Sequence, residues 1–286
     1  MSSVGLYQSD VRPDWCPGCG GYGVLASLKN SLTGLGLDPK DVVTVSGIGC
    51  SSNLPGFIRT YGFHSLHGRP VPVAVGIKTA NPSLTVLVTA GDGDQYGIGF
   101  NHLVHAARRN DDVKVIVFNN GVYGLTTGQA SPTSVFGQKT KSTPQGSIFY
   151  PLNPISTLLG AGATFLARGF VGEQKHLTRL ITEAIGHRGF ALVDVISPCV
   201  VWNDTYDEAR SAVFKLEDSG HASNDVGEAY RAAAASVGLP IGVFYRTESK
   251  PSLQEMLASS SGGIWPSRGA KGLDRGVAAE LLGEFG

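Results

Sequence analysis

Apolar residues fall along the chain in short, dense runs separated by longer stretches of helical spacing. Residues 42–46 (VVTVS), 84–90 (LTVLVTA) and 113–118 (VKVIVF) are near-continuous and rich in β-branched side chains. That is the pattern of strands buried on both faces. Residues 163–167 and 191–196 read the same way. Between these runs, apolar positions predict helices over 22–35, 70–80, 97–109 and 173–187. Buried strands alternating with helices predict an α/β fold, a doubly wound sheet of mainly parallel strands. In such a sheet ligands bind beyond the carboxyl ends of the strands. The residues that follow each apolar run are therefore where chemistry is expected.

Two segments depart from the alternation. Residues 129–154 lack periodicity and are rich in Ser, Thr, Pro and Gly, which predicts a long functional loop. Residues 217–286 are less regular, with one Ala-rich helix near 228–235 and a polar Gly/Ser stretch near 259–263. The expected division is a cofactor-binding domain over 1–216 and a C-terminal extension over 217–286 that packs on a partner. No internal repeat is visible.

Composition adds mainly exclusions. Of 286 residues, 42% are hydrophobic and 16% charged, and the formal net charge is zero. This describes a well-buried globular chain with no electrostatic case for nucleic acid or an anionic membrane. No run reaches the roughly 18 apolar residues of a membrane span. The first residues show no basic segment followed by an apolar one, so the expected location is the cytoplasm. In a reducing compartment the 4 cysteines are not expected to form a disulfide framework. Four thiolates are, however, the complement of a structural zinc or of a 4Fe–4S cluster.

The strand ends carry the first chemical signal. The run 84–90 leads directly into Gly91-Asp92-Gly93-Asp94, and 113–118 leads into Asn119-Asn120. One strand–helix–strand unit separates Asp92 from Asn120, so neighbouring parallel strands can deliver both side chains to one point. A carboxylate oxygen and an amide oxygen both suit Mg²⁺, which takes few protein ligands and fills its octahedron with water and phosphate. The glycines would let the backbone approach a diphosphate. Either motif alone reads more simply as a turn or a cap. Both together, at strand ends, favour the metal.

The cysteines carry the second. Cys16 and Cys19 form a CxxC in a Pro/Gly turn, Cys50 follows Gly47-Ile48-Gly49, and Cys199 follows the strand at 191–196. Three readings stand open: an iron–sulfur cluster, zinc, or thiol redox chemistry at the CxxC. Zinc usually takes two closely spaced pairs, which the separation of Cys50 and Cys199 does not match. Thiol chemistry leaves those two residues unexplained.

GDGD followed by NN resembles the metal-binding signature of thiamine-diphosphate enzymes. That likeness implies Mg²⁺ held by Asp92, Asn120 and the carbonyl of Val122. The fuller series CPGCG, SGIGCSS, LHGRPVPVAVGIKTANP, GDGD and NNGVYGLTTGQASPTS is similar to the β subunits of 2-oxoacid:ferredoxin oxidoreductases. The similarity spans roughly residues 15–199 and is extended by PIGVFYR at 240–246. It implies a thiamine-diphosphate-binding fold in which residues 1–216 also carry one 4Fe–4S cluster on Cys16, Cys19, Cys50 and Cys199. The implied reaction is CoA-dependent oxidative decarboxylation of a 2-oxoacid to acyl-CoA and CO₂, with electrons leaving to ferredoxin, or the reverse. Thiamine diphosphate supplies a carbanion sink for that step.

By the same resemblance the cofactor pocket takes Gly47, Ile48, Gly49, Cys50, His67, Gly68, Gly91, Asp92, Gly93, Asp94, Asn120, Val122, Tyr123, Gly124, Leu125 and Thr126. His67, Asn53 and Leu125 are the expected catalytic contacts, although Asn53 stands where members often carry Lys or Arg. No second strand-end carboxylate is available to activate the aminopyrimidine ring. The family puts that site on a separate α subunit, which implies an obligate αβ partnership and a larger assembly such as (αβ)₂. The stretch YGLTTGQASPTS favours 2-oxoglutarate over pyruvate. Two other classes are expected to behave differently: a non-redox thiamine decarboxylase or carboligase with zinc on the cysteines, and an electron-transfer subunit without thiamine.

Overall fold

The computed structural model describes residues 3–235, 237–260 and Gly283. The expected polar stretch at 259–263 runs beyond them. Helix α1 (Gly20–Gly34) starts two residues earlier than its apolar pattern, because Cys19 caps it: the thiol sulfur accepts the Gly21 N–H at 3.4 Å. Strand β1 (Val42–Ser46) follows as expected. A short helix α2 (Leu54–Phe57) leads to strand β2 (Tyr61–His64), whose four residues are all exposed. Without a buried face, β2 has no apolar pattern to read.

Helix α3 (Pro70–Ala80) opens on proline, whose fixed φ suits a first helical turn. Strand β3 (Thr85–Gly91) is followed by a wide π-type turn over Gly93–Ile98. Helix α4 is thus confined to Phe100–Arg109 rather than starting at 97, because Gly97 adopts φ −85° and ψ −111°. Wide turns of this kind often mark functional sites. Strand β4 (Lys114–Asn119) comes next, then a two-residue ribbon of β5 (Val122–Tyr123) against β6 (Gln129–Ala130). Beyond β6 no helix or strand forms until α5 (Pro154–Gly160), in keeping with a long loop. Strand β7 (Phe165–Phe170), helix α6 (Gln174–Gly186) and strand β8 (Ala191–Ile196) complete the regular alternation. Helix α7 (Tyr206–Ala212), strand β9 (Val213–Lys215), helix α8 (Val226–Ala233), strand β10 (Leu239–Arg246) and helix α9 (Leu253–Ser260) follow. Helix α8 is set by Asp225, whose carboxylate accepts the Glu228 N–H at 2.9 Å.

The eight-stranded sheet runs β2-β1-β3-β4-β8-β7-β10-β9. All its pairings are parallel except β10 against β7. The sheet is doubly wound and mainly parallel, as expected. Strand β10 belongs to the segment after residue 216, so that segment contributes to the sheet itself. Alternate residues of each strand feed two apolar layers. Ile116 and Val193 pack with Leu28, Leu32, Leu177 and Leu180 of α1 and α6. Val115 and Val117 pack with Val71, Ala74, Leu103 and Leu158 of α3, α4 and α5. Truncating a fully buried leucine such as Leu28 would cost about 2–5 kcal/mol.

Register matters most for function. Gly91 stands level with Phe118, and Asn119 with Ile196. The carboxyl ends of β3, β4 and β8 therefore finish side by side. Among the described residues no helix is long and apolar enough to cross a membrane.

Candidate active site

Asp92 follows β3 and is almost fully buried. Its Oδ2 accepts hydrogen bonds from Ser131 Oγ at 2.5 Å and from Thr133 Oγ1 at 2.7 Å. Its Oδ1 has only a long contact, 3.5 Å, with the Asn120 N–H. One oxygen is anchored and the other is left for a ligand. Burial pushes the Asp92 carboxyl up to about 6, against the pull of those hydrogen bonds. A cation at the unanchored oxygen would offset that burial. Asn120 follows β4, and its Oδ1 accepts the Val122 N–H at 3.1 Å, which leaves that oxygen a second lone pair. The donor set is hard oxygen and fits Mg²⁺.

Asp94 is organised in the opposite way. Its Oδ1 accepts the N–H of Ile48 at 2.9 Å and of Gly68 at 2.8 Å, and lies 2.7 Å from His67 Nδ1. Its Oδ2 has no hydrogen-bond partner. A Cβ on Gly47 would lie 2.0 Å from that oxygen, so the carboxylate occupies the space a side chain would take. Gly68 sits at φ +69°. Because Asp94 accepts, His67 donates from Nδ1, and the ring lines the cavity. The imidazole meets the Tyr123 ring edge-on at 6.2 Å. Tyr123 in turn donates its hydroxyl to Gly93 O at 3.0 Å and covers that glycine, where a Cβ would fall 2.3 Å from the ring.

The thiols gather beside these turns. Cys19 N–H donates to Cys16 O at 3.0 Å, closing the CxxC turn. Trp15 Nε1 donates to Cys50 O at 2.6 Å, tying that turn to the loop after β1. The Gly20 N–H donates to Pro198 O at 3.4 Å, tying it to the loop after β8. Burial, and then the charges of Cys19, Cys199 and Cys16, pushes the Cys50 thiol up to about 11. Burial, and beyond it the neighbouring Cys199 and Cys16, likewise raises Cys19 against a backbone hydrogen bond. A positively charged ligand beside Cys19 and Cys50 would offset both effects. Among the described residues, no three His, Cys, Asp or Glu side chains are grouped as around one metal ion.

A cavity of about 310 Å³ reaches from the Asp92 turn to Cys19 and Cys50, while Cys16 and Cys199 do not line it. Ile48, Gly49, Cys50, His67, Gly91, Asp92, Gly93, Asp94, Asn120, Val122, Tyr123, Gly124, Leu125 and Thr126 all line it, with Cys19. At Gly124 an added Cβ would stand 3.6 Å from Cys199 Sγ and 3.9 Å from Cys50 Sγ. Gly47 and Gly68 support Asp94 from behind the wall. Asn53 is exposed and does not line the cavity.

Two families match the chain. One, described as "Thiamine pyrophosphate enzyme, C-terminal TPP binding domain", covers residues 47–195. The other is the C-terminal region of the pyruvate ferredoxin oxidoreductase β chain, and it covers 199–261. The 2-oxoacid:ferredoxin oxidoreductase subunit beta of Saccharolobus solfataricus is 47% identical over 263 residues, 87% of this chain and 86% of its own. The chain belongs to the β subunits of the 2-oxoacid:ferredoxin oxidoreductases. The 2-oxoglutarate oxidoreductase subunit KorB of Mycobacterium tuberculosis is 49% identical over 205 residues, 71% of this chain and 55% of the relative. A solved structure, "2-oxoglutarate:ferredoxin oxidoreductase from Magnetococcus marinus with 2-oxoglutarate, coenzyme A and succinyl-CoA bound", superposes with a TM-score of 0.89 at 38% identity. It covers 98% of this chain and 96% of that one.

This thiamine-diphosphate-dependent oxidoreductase subunit also uses residues that motif reading passed over. Trp15, Ser51, Phe118 and Ser197 line the cavity, and Ser131 and Thr133 hold Asp92. The only sign of the last two in the sequence is a hydroxyl-rich loop, and nothing local ties such a loop to a carboxylate some forty positions earlier.

Proposed function

We propose that this β subunit, joined to an α subunit, catalyses CoA-dependent oxidative decarboxylation of a 2-oxoacid, with 2-oxoglutarate preferred to pyruvate. The products are acyl-CoA and CO₂, and the electrons leave through a 4Fe–4S cluster to ferredoxin; the same residues serve the reverse direction. The observation that carries the reading is Gly124. It follows the turn after Asn120, and a Cβ there would stand close to the sulfurs of Cys50 and Cys199, which supports a coenzyme site beside the thiols.

Asp92, Asn120 and the Val122 carbonyl would hold Mg²⁺, and Cys16, Cys19, Cys50 and Cys199 would hold the cluster. Thiamine diphosphate, when bound, supplies a carbon nucleophile and a sink for the electrons left by CO₂. This chain's part is to bind, orient and exclude water. Asp92 presents one free oxygen, His67 presents Nε2, and Leu125 lies at the cavity wall beside Thr126. Four thiolates, one to each iron, are the complement of a 4Fe–4S cluster. Asn53 leaves no cation on its turn, so the substrate carboxylate or the CoA phosphates must find their charge partner elsewhere.

The partner reading is supported by an apolar surface. Val135, Phe136, Ile148, Phe149 and Tyr150 are all exposed on the long loop, a patch typical of an interaction site. An α subunit would cover that patch, with the chain after residue 216 packing beside it, in an assembly such as (αβ)₂ in the cytoplasm. The test is anaerobic co-expression of both subunits, followed by ferredoxin reduction assayed with CoA and a panel of 2-oxoacids. A brown protein active on 2-oxoglutarate supports the proposal. A colourless protein with stoichiometric zinc that releases CO₂ without reducing ferredoxin would overturn it in favour of a non-redox thiamine enzyme.

A further inference from the structure

Behind Asp92 a line of polar side chains runs through the middle of the sheet. Thr133 Oγ1, already 2.7 Å from Asp92 Oδ2, lies 2.8 Å from Asn119 Oδ1. Asn119 Nδ2 donates to Asp194 Oδ1 at 3.0 Å, and Tyr96 OH donates to the same oxygen at 3.0 Å. Arg168 Nε donates to Asp194 Oδ2 at 2.9 Å, with its guanidinium 5.3 Å above the Phe244 ring. The line crosses four adjacent strands, from the end of β3 through β4 and β8 to β7.

Asp194 is fully buried in β8 and lines no part of the cavity, so neither substrate nor coenzyme explains it. A buried ion pair is weak support for stability, because desolvation offsets most of its attraction. Its effect here is directional. By taking the Asn119 amide N–H, Asp194 turns the Asn119 oxygen toward Thr133. The Thr133 hydroxyl shares one proton between two acceptors, Asn119 Oδ1 and Asp92 Oδ2, so the place of the Asn119 oxygen sets how that hydroxyl turns toward Asp92, beside the second donor Ser131 Oγ. A hydroxyl so turned helps Ser131 hold Asp92 by Oδ2, which leaves Oδ1 with only its long contact to the Asn120 N–H. Partners that orient a metal's ligands commonly set its affinity.

We propose that Asp194 is a positioning residue for the Mg²⁺ site, acting on Asp92 through Asn119 and Thr133. This rests on the reading that Asp92 holds the metal. The test is Mn²⁺ binding, followed by electron paramagnetic resonance on the anaerobic αβ enzyme with saturating thiamine diphosphate. Asp194→Asn and Thr133→Val should each weaken Mn²⁺ binding by about 10-fold or more. The activation constant for Mg²⁺ should rise in step. Thr133→Ser, which keeps the hydroxyl, should restore binding. Wild-type Mn²⁺ affinity in Asp194→Asn overturns the inference; should that variant fail to fold, Asn119→Leu cuts the same link to Thr133, and wild-type affinity there overturns it equally. Wild-type Mn²⁺ affinity in Thr133→Val, or no recovery in Thr133→Ser, overturns the inference while leaving the site reading intact. Wild-type affinity in Asp92→Ala overturns both.

Discussion

His67 Nδ1 stands 2.7 Å from Asp94 Oδ1, an oxygen that also accepts the backbone N–H of Ile48 and Gly68. Three donors converge on one carboxylate oxygen, so the imidazole is held in one tautomer by a group itself fixed by the backbone. The side of the ring left free is Nε2, at the cavity wall. His67→Ala should therefore lower kcat by about 100-fold or more, the usual contribution of a positioned proton-transfer group. Thiamine diphosphate binding, read by tryptophan fluorescence, should persist. A variant with unchanged turnover would remove His67 from the chemistry.

Gly47 tests the same carboxylate from the other side. An alanine methyl there would come within 2.0 Å of Asp94 Oδ2 and 2.5 Å of its carboxyl carbon. Asp94 is buried and cannot swing into solvent, so Gly47→Ala should destabilise the protein by about 1–3 kcal/mol and displace His67 with it. The urea midpoint and thiamine diphosphate affinity should fall together. Gly34→Ala is the control, since nothing lies within 4 Å of a Cβ at that helical position.

Cys50→Ser should abolish the visible absorption of the anaerobic αβ enzyme and, with it, 2-oxoacid-dependent ferredoxin reduction. Cys50 is the best probe of the four because its carbonyl accepts from Trp15 while its sulfur faces Gly124. A serine hydroxyl can keep the backbone arrangement but is a poor iron ligand. Coenzyme binding at Asp92 should survive, which separates loss of the cluster from loss of the fold. Retained electron transfer in this variant would defeat the cluster assignment.

The strands that carry the site were legible because they are buried on both faces, which leaves a near-continuous apolar run in the sequence. Strand β2 was not, since all four of its residues face water. The 240–246 stretch stood out only as a likeness to the family, and its antiparallel seat beside β7 depends on tertiary pairing that no local pattern encodes. Asp92 and Asn120 stood out because they end consecutive strands. Ser131 and Thr133 did not, because their partner is brought to them only when the long loop folds back over β3. Asn53 shows the converse limit: a motif neighbour of Cys50 points outward, since the tight turn after Gly49, at φ +119°, controls which side chains face the cavity.

His187 gives the acid-stability prediction. Burial and the nearby Lys114 charge lower its pKa from 6.5 to about 4, while Glu248 pulls the other way. Between those values the unfolded chain binds a proton that the folded chain does not, so stability falls as pH drops from about 6.5 to about 4. The loss from this residue is at most about 3 kcal/mol. His187→Gln keeps a donor for Thr164, which now lies 2.8 Å from His187 Nε2, and removes the titration. Urea midpoints of the variant should decline less steeply over that window than those of the wild type. Equal slopes would mean that His187 is not excluded from protonation in the fold.

The last prediction concerns the partner. Phe136 and Tyr150 stack with ring centroids 5.0 Å apart and planes 19° from parallel, although 56% and 81% exposed. Aromatic side chains bury large areas at interfaces at little entropic cost, and they dominate binding hot spots. A stacked pair held ready on a loop is already ordered for docking. Phe136→Ala with Tyr150→Ala should leave the isolated β subunit folded, since both rings face water, and should weaken its association with the α subunit by at least about 10-fold, the effect of losing one modest hot spot. Analytical ultracentrifugation of the mixed subunits reads this directly. The residues proposed to hold the coenzyme and the cluster lie elsewhere, so the visible spectrum of the β subunit should not change. Association as tight as in the wild type would move the docking site for the α subunit off the 129–154 loop.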